Sequence, residues 1–207
     1  ADDYAKSQGQ GNWHYGYRIG DGEFREMTQR ETMWGVEWAG PAKYLSLSRG
    51  NMHPEKIDGQ DACPVLRWKS PVAGTLRLVG TAGRGGQGGD GVELRILADG
   101  RPLLVRRLGG DAPATTSFDI PVEVREGSFV ELTVAPLGNT EYDATSFSLR
   151  ILQETTDKPG NRRRPSGESA AAAPACRQSR RSRAIRSGHT RWITPTDCSP
   201  ISSNCMA

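Results

Sequence analysis

The stretch VELRILADGRPLLVRR, residues 92–107, decides the fold class of this chain. Its apolar residues fall on alternate positions from Val92 to Ile96, which is the pattern of a β-strand with one buried face. Asp99-Gly100 follows, and this dipeptide supplies the two positive-φ residues of a type I′ hairpin turn. The stretch therefore predicts two antiparallel strands that meet at this turn.

The same alternation recurs along the chain about every ten residues, separated by turn residues such as Glu126-Gly127. Gly is abundant, at 25 residues, and Pro reaches 13, so the composition is that of a turn-rich β protein. We therefore predict an all-β fold, a two-layer antiparallel β-sandwich. Ten side chains are expected to point into its core: Leu78, Leu94, Ile96, Phe118, Ile120, Val122, Leu132, Val134, Phe147 and Leu149.

The composition of the chain changes near Pro159. Residues 1–155 form the predicted β-sandwich domain. Residues 156–207 have no sustained period and are rich in Arg, Ser, Ala and Pro, so they cannot bury enough apolar surface to offset the entropy of ordering. We predict that they are a disordered, basic, low-complexity tail, and their composition also fits residues appended by a reading-frame or vector accident.

The formal net charge of +3 misleads about binding partners. Residues 160–207 hold nine Arg against only Glu168 and Asp197, so the rest of the chain is net negative. A patterned basic face for nucleic acid is therefore not expected. No run of 18 apolar residues occurs, so no membrane-spanning segment is expected either. We predict a monomer that binds neither nucleic acid nor membrane.

Cysteine usage leaves the cellular compartment open. Cys63 is the only cysteine of the predicted domain, so no disulfide can form within it. The chain opens with Ala1-Asp2-Asp3 and has no initiator Met, as a secreted protein does after removal of a signal peptide, although a trimmed chain would begin in the same way. We predict that the protein is secreted or held at the cell surface.

Aromatic residues cluster between positions 13 and 38, among Gly, Asn and Asp residues that favour loops. Sugar rings stack their apolar faces on Trp and Tyr, while their hydroxyls exchange hydrogen bonds with neighbouring polar side chains. The structural alternative is that Trp13, Tyr15 and Tyr17 form one buried face of a strand. The candidate ligand-binding residues are Trp13, His14, Tyr15, Tyr17, Trp34, Trp38 and His53.

Hard oxygen donors lie in two predicted loops. Asp90 precedes the strand that begins at Val92, and Asn139, Glu141 and Asp143 precede the last strand. Calcium takes carboxylate and amide oxygens of this kind, whereas loop carboxylates otherwise serve as solvated turn formers. We take these four residues as candidate ligands of a structural Ca²⁺.

No catalytic motif is found in the predicted domain. His14, His53 and Cys63 occur without the partners of a Ser-His-Asp or Cys-His arrangement, and they do not form close metal-ligand pairs. The glycine-rich segment Gly83–Gly91 lacks the GK[ST] ending of a phosphate loop, so it is interpreted as a connection between strands. We therefore predict that the chain is not an enzyme.

Four stretches together resemble a known family. The chain is similar over residues 8–152 to the jelly-roll, carbohydrate-binding-module-like accessory domains of secreted bacterial, planctomycete-type, polysaccharide-degrading or cell-surface proteins, and its later half is similar to galactose-binding-like sandwiches. The resemblance implies a jelly roll that binds sugar on loop tips or on a concave sheet face and often holds a structural calcium. The stretches are QGNWHYGYRIGDGEF (10–24), VLRWKSPVAGTLRLVGTAG (65–83), GGDGVELRILADG (88–100) and VREGSFVELTVAPLGNTEYDATSFSLRI (124–151), with a His53-Pro54 loop after the first.

Three functions remain in competition. The leading hypothesis is a non-catalytic carbohydrate-binding module that targets a secreted enzyme or surface protein to a polysaccharide or oligosaccharide. The second is a structural or adhesion sandwich, in which the aromatic residues are core and the sheet edges mediate protein contacts. The third is a small jelly-roll polysaccharide lyase or hydrolase that uses acidic residues with Tyr or His in a groove.

Overall fold

The computed structural model of the protein describes residues 4–33, 35–86 and 88–153; Trp34 and the predicted tail, residues 156–207, lie outside the described residues. In these ranges the chain forms one short 3-10 helix, Gln10–Asn12, and no helix with the length and hydropathy needed to cross a bilayer. The strands are β1 (Trp13–Ile19), β2 (Arg25–Glu26), β3 (Thr28–Thr32), β4 (Gly35–Ala39), β5 (Ser46–Ser48), β6 (Asn51–His53), β7 (Glu55–Ile57), β8 (Gln60–Lys69), β9 (Gly74–Arg84), β10 (Val92–Ala98), β11 (Arg101–Leu108), β12 (Thr115–Val124), β13 (Phe129–Pro136) and β14 (Thr145–Gln153).

The strands form two antiparallel sheets, which confirms the predicted two-layer β-sandwich. The first sheet has the strand order β11-β10-β13-β8-β1-β2, and β7 also pairs with β8. The second sheet has the order β12-β9-β14-β6-β5-β4-β3. The two sheets pack their apolar faces together, as sandwich architecture requires.

The hairpin predicted from residues 92–107 is confirmed. Asp99 and Gly100 have φ values of 47° and 76°, the left-handed conformation that a type I′ turn requires at both positions. Ala98 pairs with Arg101 across this turn. The alternation in β10 also applies to β13, because β13 pairs with every residue of β10, from Val92 opposite Pro136 to Ala98 opposite Val130.

The predicted inward rows are confirmed as well. Seven of the ten predicted core side chains are buried, and the other three, Ile120, Phe147 and Leu149, are half-buried. Burying one large aliphatic side chain stabilises the fold by roughly 1.5–3 kcal/mol, so these rows account for much of the driving force. Two of the half-buried side chains lie on β14, where the core is least covered.

The prediction of loops between residues 13 and 38 is wrong, because four strands, β1 to β4, cover most of this segment. One of its glycines, Gly16, lies within a strand and permits close packing. A Cβ on Gly16 would lie 2.4 Å from the ring of Phe24, so only glycine lets the loop after β1 fold back on the strand. The alternating aromatic residues of β1 bury one face, as in the structural alternative given above.

Candidate functional site

A cleft of about 940 Å³ opens between the two sheets at one end of the sandwich. From the first sheet, Trp13 and Trp68 line it as cross-strand partners on β1 and β8, with ring centroids 6.4 Å apart and ring planes at 51°. From the second sheet, β14 contributes the half-buried side chains of Phe147, Leu149 and Ile151. The inward faces of the two sheets are therefore incompletely covered at this end.

One edge of β14 faces this cleft without a neighbouring strand. β6 pairs only with Thr145 and Ser146, and the carbonyl of Gly50 then accepts a hydrogen bond of 2.8 Å from the N–H of Phe147. Beyond Phe147, no described strand pairs with this edge. Backbone N–H and C=O groups alternate in direction along a strand, so those of Leu149 and Ile151 point to the same side as the N–H of Phe147. They offer hydrogen-bonding groups to a ligand in the cleft.

Polar side chains at the cleft are few and basic or neutral. Gln10 follows the N-terminal segment, Arg49 lies in the turn between β5 and β6, and the exposed Arg150 lies on β14. None of the described residues that line the cleft carries a carboxylate. The cleft thus combines aromatic rings, aliphatic side chains and an unpaired backbone edge with Arg49, whereas Arg150 alternates with Leu149 and Ile151 and so points to the outer face of the sheet.

Three of the predicted ligand-binding residues are core residues instead. Tyr15, Tyr17 and Trp38 are only 2%, 9% and 4% exposed, so the prediction of an exposed aromatic surface is wrong for them. The rings of Tyr15 and Trp38 stack at 4.9 Å with an interplanar angle of 5°, and Tyr4 contacts Tyr15 edge-on at 5.4 Å. This packing removes large apolar areas from water and so stabilises the fold. Tyr15 contributes only to the floor of the cleft.

Hydrogen bonds hold the N-terminal segment, residues 4–10, beside these rings. The side-chain amide of Gln8 donates to the carbonyls of Tyr15 and Met27, and its oxygen accepts the N–H of Tyr15 at 2.8 Å. The N–H of Ala5 donates to the phenol oxygen of Tyr15 at 2.9 Å. This segment therefore forms a fixed wall of the cleft, with Tyr4 and Gln10 lining it.

The two predicted histidines do not join the cleft. The Nδ1 atom of His14 lies 3.7 Å from a carboxylate oxygen of Glu26. His53 packs on the exposed ring of Tyr44 at 5.9 Å, and its Nδ1 atom lies 2.6 Å from the carbonyl oxygen of Pro54. Of the predicted ligand-binding residues that the structure describes, only Trp13 and Tyr15 line the cleft.

The other end of β14 is closed by a buried arginine. Nε of Arg84 donates to the carbonyl of Tyr142 at 2.9 Å, and its guanidinium also donates to the carbonyls of Gly88 and Glu141. Nε also lies 3.8 Å from Oδ1 of Asp143, and the two side chains are only 3% and 0% exposed. The guanidinium therefore joins the loop before β10 to the loop before β14.

The charged form of the Asp143 carboxyl group is destabilised by its burial. Neither carboxylate oxygen has a hydrogen-bond partner within the described part of the chain. Burial raises the pKa of Asp143 to about 7, with Arg84 lowering it and Asp90 raising it. The single nearby guanidinium does not fully offset the cost of taking this charge out of water.

These loops do not fit the calcium ion that the sequence predicts. Calcium needs about six to eight converging oxygens. The Asp90 carboxylate instead accepts the backbone N–H of Asn139, the Asn139 side chain accepts the N–H of Glu141, and carbonyls of the same loops are taken by Arg84. No group of three or more His, Cys, Asp or Glu that could hold a metal occurs among the described residues. We derive no role for a metal here.

A thiol nucleophile is also poorly placed. Burial raises the pKa of Cys63 to about 11, so this thiol is protonated at neutral pH and is a weak nucleophile. The residue lies on β8, outside the cleft lining.

Sequence reasoning missed most of the cleft. Trp68 was not among the predicted ligand-binding residues, and its position opposite Trp13 depends on the pairing of two strands that lie more than fifty residues apart in sequence. Arg49 and Arg150 gave no signal, since each is one Arg among many. The repeated Trp-containing strands were the only hint available before the register was known.

Comparisons with known proteins are weak. No family model matches the chain, and no curated protein matches it in sequence. Among solved structures, the native structure of a family 35 carbohydrate binding module from Clostridium thermocellum is 13% identical, with a TM-score of 0.31, over 49% of this chain and 87% of that chain. A β-glucosidase from Kluyveromyces marxianus in complex with glucose is 10% identical, with a TM-score of 0.35, over 69% of this chain and only 16% of that chain.

Proposed function

We propose that this β-sandwich is a non-catalytic carbohydrate-binding module that holds a secreted or cell-surface protein at a polysaccharide. The observation that carries the proposal is the cleft, where the rings of Trp13 and Trp68 lie opposite the unpaired edge of β14. The tryptophan rings suit the apolar faces of a sugar ring, and the strand edge suits its hydroxyl groups.

Sugar hydroxyls both donate and accept hydrogen bonds, so they suit a strand edge that presents both N–H and C=O groups. Leu149 and Ile151 present these groups, and Gln10 adds an amide at the cleft wall. Stacking on the two indoles removes the sugar's apolar faces from water. A few such contacts give a dissociation constant in the micromolar to millimolar range, about −4 to −8 kcal/mol.

The lining of the cleft supports binding rather than hydrolysis. Glycoside cleavage uses two carboxyl groups on either side of the scissile bond. The described lining residues include no Asp or Glu, and the Cys63 thiol is protonated and lies elsewhere. The module therefore acts by holding its glycan.

A glycan array probed with the full chain tests this proposal. Trp13→Ala and Trp68→Ala should each weaken binding by about 1–3 kcal/mol, the range for loss of a binding-site aromatic. Tyr44→Ala is the matched control, because Tyr44 is an exposed aromatic residue outside the cleft. Near-ultraviolet circular dichroism checks that each variant is folded. Loss of binding in Tyr44→Ala, with both tryptophan variants unaffected, would move the site to the Tyr44–His53 pair.

The unpaired edge of β14 also favours a second function, adhesion through strand addition. An extended peptide can pair with such an edge and place alternate side chains in an apolar groove. Ile151→Pro removes the edge N–H at a position that does not serve the pairing with β9. Capture of displayed peptides by the wild type, abolished in Ile151→Pro and accompanied by no glycan binding, would establish adhesion in place of glycan recognition.

A further inference from the structure

We infer that the glycan-binding surface extends from the cleft onto the tip of the β3–β4 hairpin, so that the protein recognises an oligosaccharide stretch of several residues. This inference rests on the proposed function and narrows its substrate class to glycan chains rather than single sugars or disaccharides. It follows from the register of the second sheet and from the exposed apolar side chains of Met33 and Val36.

The end of the second sheet that borders the cleft is notched. The short strands β5 and β6 are joined by a turn at Arg49-Gly50, and the Phe147 N–H donates to the Gly50 carbonyl at the level of this turn. Beyond Phe147, β14 continues to Gln153. One wall of the notch is therefore the unpaired edge of β14.

The β3–β4 hairpin forms the opposite wall. Trp38 pairs with Leu47, and the same register, continued along β4, places Val36 level with the turn between β5 and β6. Gly35 and the hairpin turn lie farther out, so the hairpin projects past that turn by about two residues, roughly 7 Å. Three interstrand spacings, roughly 14 Å, separate β4 from β14. This distance exceeds the width of one sugar ring, so a glycan that touches both walls contains several residues.

Tyr4 connects the cleft to the hairpin. It lines the cleft, and its phenol oxygen lies 3.3 Å from the carbonyl oxygen of Leu47 and 3.4 Å from that of Val36. Val36 and Trp38 are alternate residues of β4, so their side chains point to the same face of the sheet. Trp38 stacks on Tyr15, which contributes to the floor of the cleft. The side chain of Val36 therefore lies on the face of the sheet that borders the cleft.

The hairpin offers the two kinds of contact that a sugar needs. Met33 is 87% exposed and Val36 is 45% exposed, and covering such apolar side chains with a sugar face removes both surfaces from water. The exposed Glu31 lies directly opposite Val36 in the hairpin, and cross-strand partners project to the same face. Its carboxylate can accept hydrogen bonds from sugar hydroxyls. One carboxylate does not supply the pair that glycoside cleavage requires, so the hairpin adds affinity and no hydrolysis.

Titrations of the full chain followed by nuclear magnetic resonance test this extension, because they measure dissociation constants in the millimolar range. The probes are the disaccharide and the hexasaccharide of four series, from cellulose, xylan, mannan and β-1,3-glucan. We expect at least one hexasaccharide to bind about tenfold more tightly than the disaccharide of its series, because only the longer chain reaches the hairpin. Equal affinity for the two lengths in every series that binds would overturn the inference and keep the proposed function.

Variants separate the hairpin from the cleft. The double variant Met33→Ser, Val36→Ser should weaken binding of the hexasaccharide by about tenfold and leave binding of the disaccharide unchanged, and Glu31→Ala should act in the same direction. Trp13→Ala, in the cleft itself, should weaken binding of both lengths. Val105→Ser is the matched control and should change neither, because Val105 is a strand valine of similar exposure, 41%, in the other sheet.

Near-ultraviolet circular dichroism checks that each variant is folded. Unchanged hexasaccharide binding in the double variant, with both lengths still weakened by Trp13→Ala, would overturn this inference alone. Absence of binding to every probe, or binding of both lengths that Trp13→Ala leaves unchanged, would overturn the proposed function as well.

Discussion

The two ends of strand β14 differ in how completely the strand is paired. At Thr145 the strand is paired on both sides, and the loop before it is fastened by the buried Arg84. From Leu149 to Ile151 the strand has a described neighbour on one side only, and it borders an open cleft lined by Trp13 and Trp68. One end satisfies its backbone carbonyls internally, and the other leaves its backbone groups facing solvent.

This difference separates a structural device from a binding surface. The two loops cannot separate without breaking the hydrogen bonds that Arg84 donates to their carbonyls, so they stay closed. An unpaired strand edge costs little while water solvates it, and it gains when a ligand replaces that water.

The largest effect is expected from Arg84→Met at the closed end. The variant leaves Asp143 buried without its cation and three loop carbonyls without their donor, so unfolding free energy should fall by about 3–5 kcal/mol at pH 8. Urea denaturation followed by tryptophan fluorescence measures the loss. Arg101→Met, on an exposed edge strand, is the control and should stay within about 0.5 kcal/mol of the wild type. A comparably small loss in Arg84→Met would show that the closed end does not depend on this residue.

A smaller effect concerns pH. The folded-state pKa of Asp143, about 7, is raised above its ordinary value of 3.8 chiefly by burial, so between these values the folded state binds more protons than the unfolded one. Stability from this group should therefore decrease as pH rises from about 4 to about 7, on the order of 1 kcal/mol per pH unit. Denaturation curves across this range should show the decline in the wild type and a flatter profile in Asp143→Asn. A decline of the same slope in Asp143→Asn would assign the pH dependence to other groups.

The smallest effect is expected from calcium. Because Arg84 occupies the carbonyls between the two loops, millimolar CaCl₂ or EDTA should leave the melting temperature unchanged. Differential scanning fluorimetry of the full chain provides the measurement. A rise of several degrees with calcium, reversed by EDTA, would restore the metal site that the sequence predicts at Asp90 and Asp143.

The fold could be predicted from sequence because its signals are local. Alternation from Val92 to Ile96 and the Asp99-Gly100 turn each depend on neighbouring residues, and they fixed both strand faces correctly. The cleft could not, because it arises from which strands meet. Trp13 and Trp38 look alike in sequence, yet one lies at an incompletely covered end and the other stacks on Tyr15 in the core.

Asp143 teaches the same lesson for the metal prediction. Its place among loop oxygens suggests a cation, and the structure supplies one from Arg84, a residue nearly sixty positions away. Nothing in the local sequence around Arg84, the last residue of β9, indicates that its side chain bonds to these two loops. The acidic residue type of Asp143 indicated that a positive charge should lie nearby, and only the tertiary contact showed that Arg84 supplies it.

The most direct test of the account follows individual N–H groups at the open end. In a nuclear magnetic resonance titration of the full chain with a hexasaccharide that binds on the glycan array, the backbone amides of Leu149 and Ile151 and the indole N–H groups of Trp13 and Trp68 should shift together, while amides of the closed end near Asp143 stay fixed. Shifts confined to the surroundings of Tyr44 or to the Asp143 loops, with the four cleft signals unmoved, would contradict the claim that this cleft is the binding site.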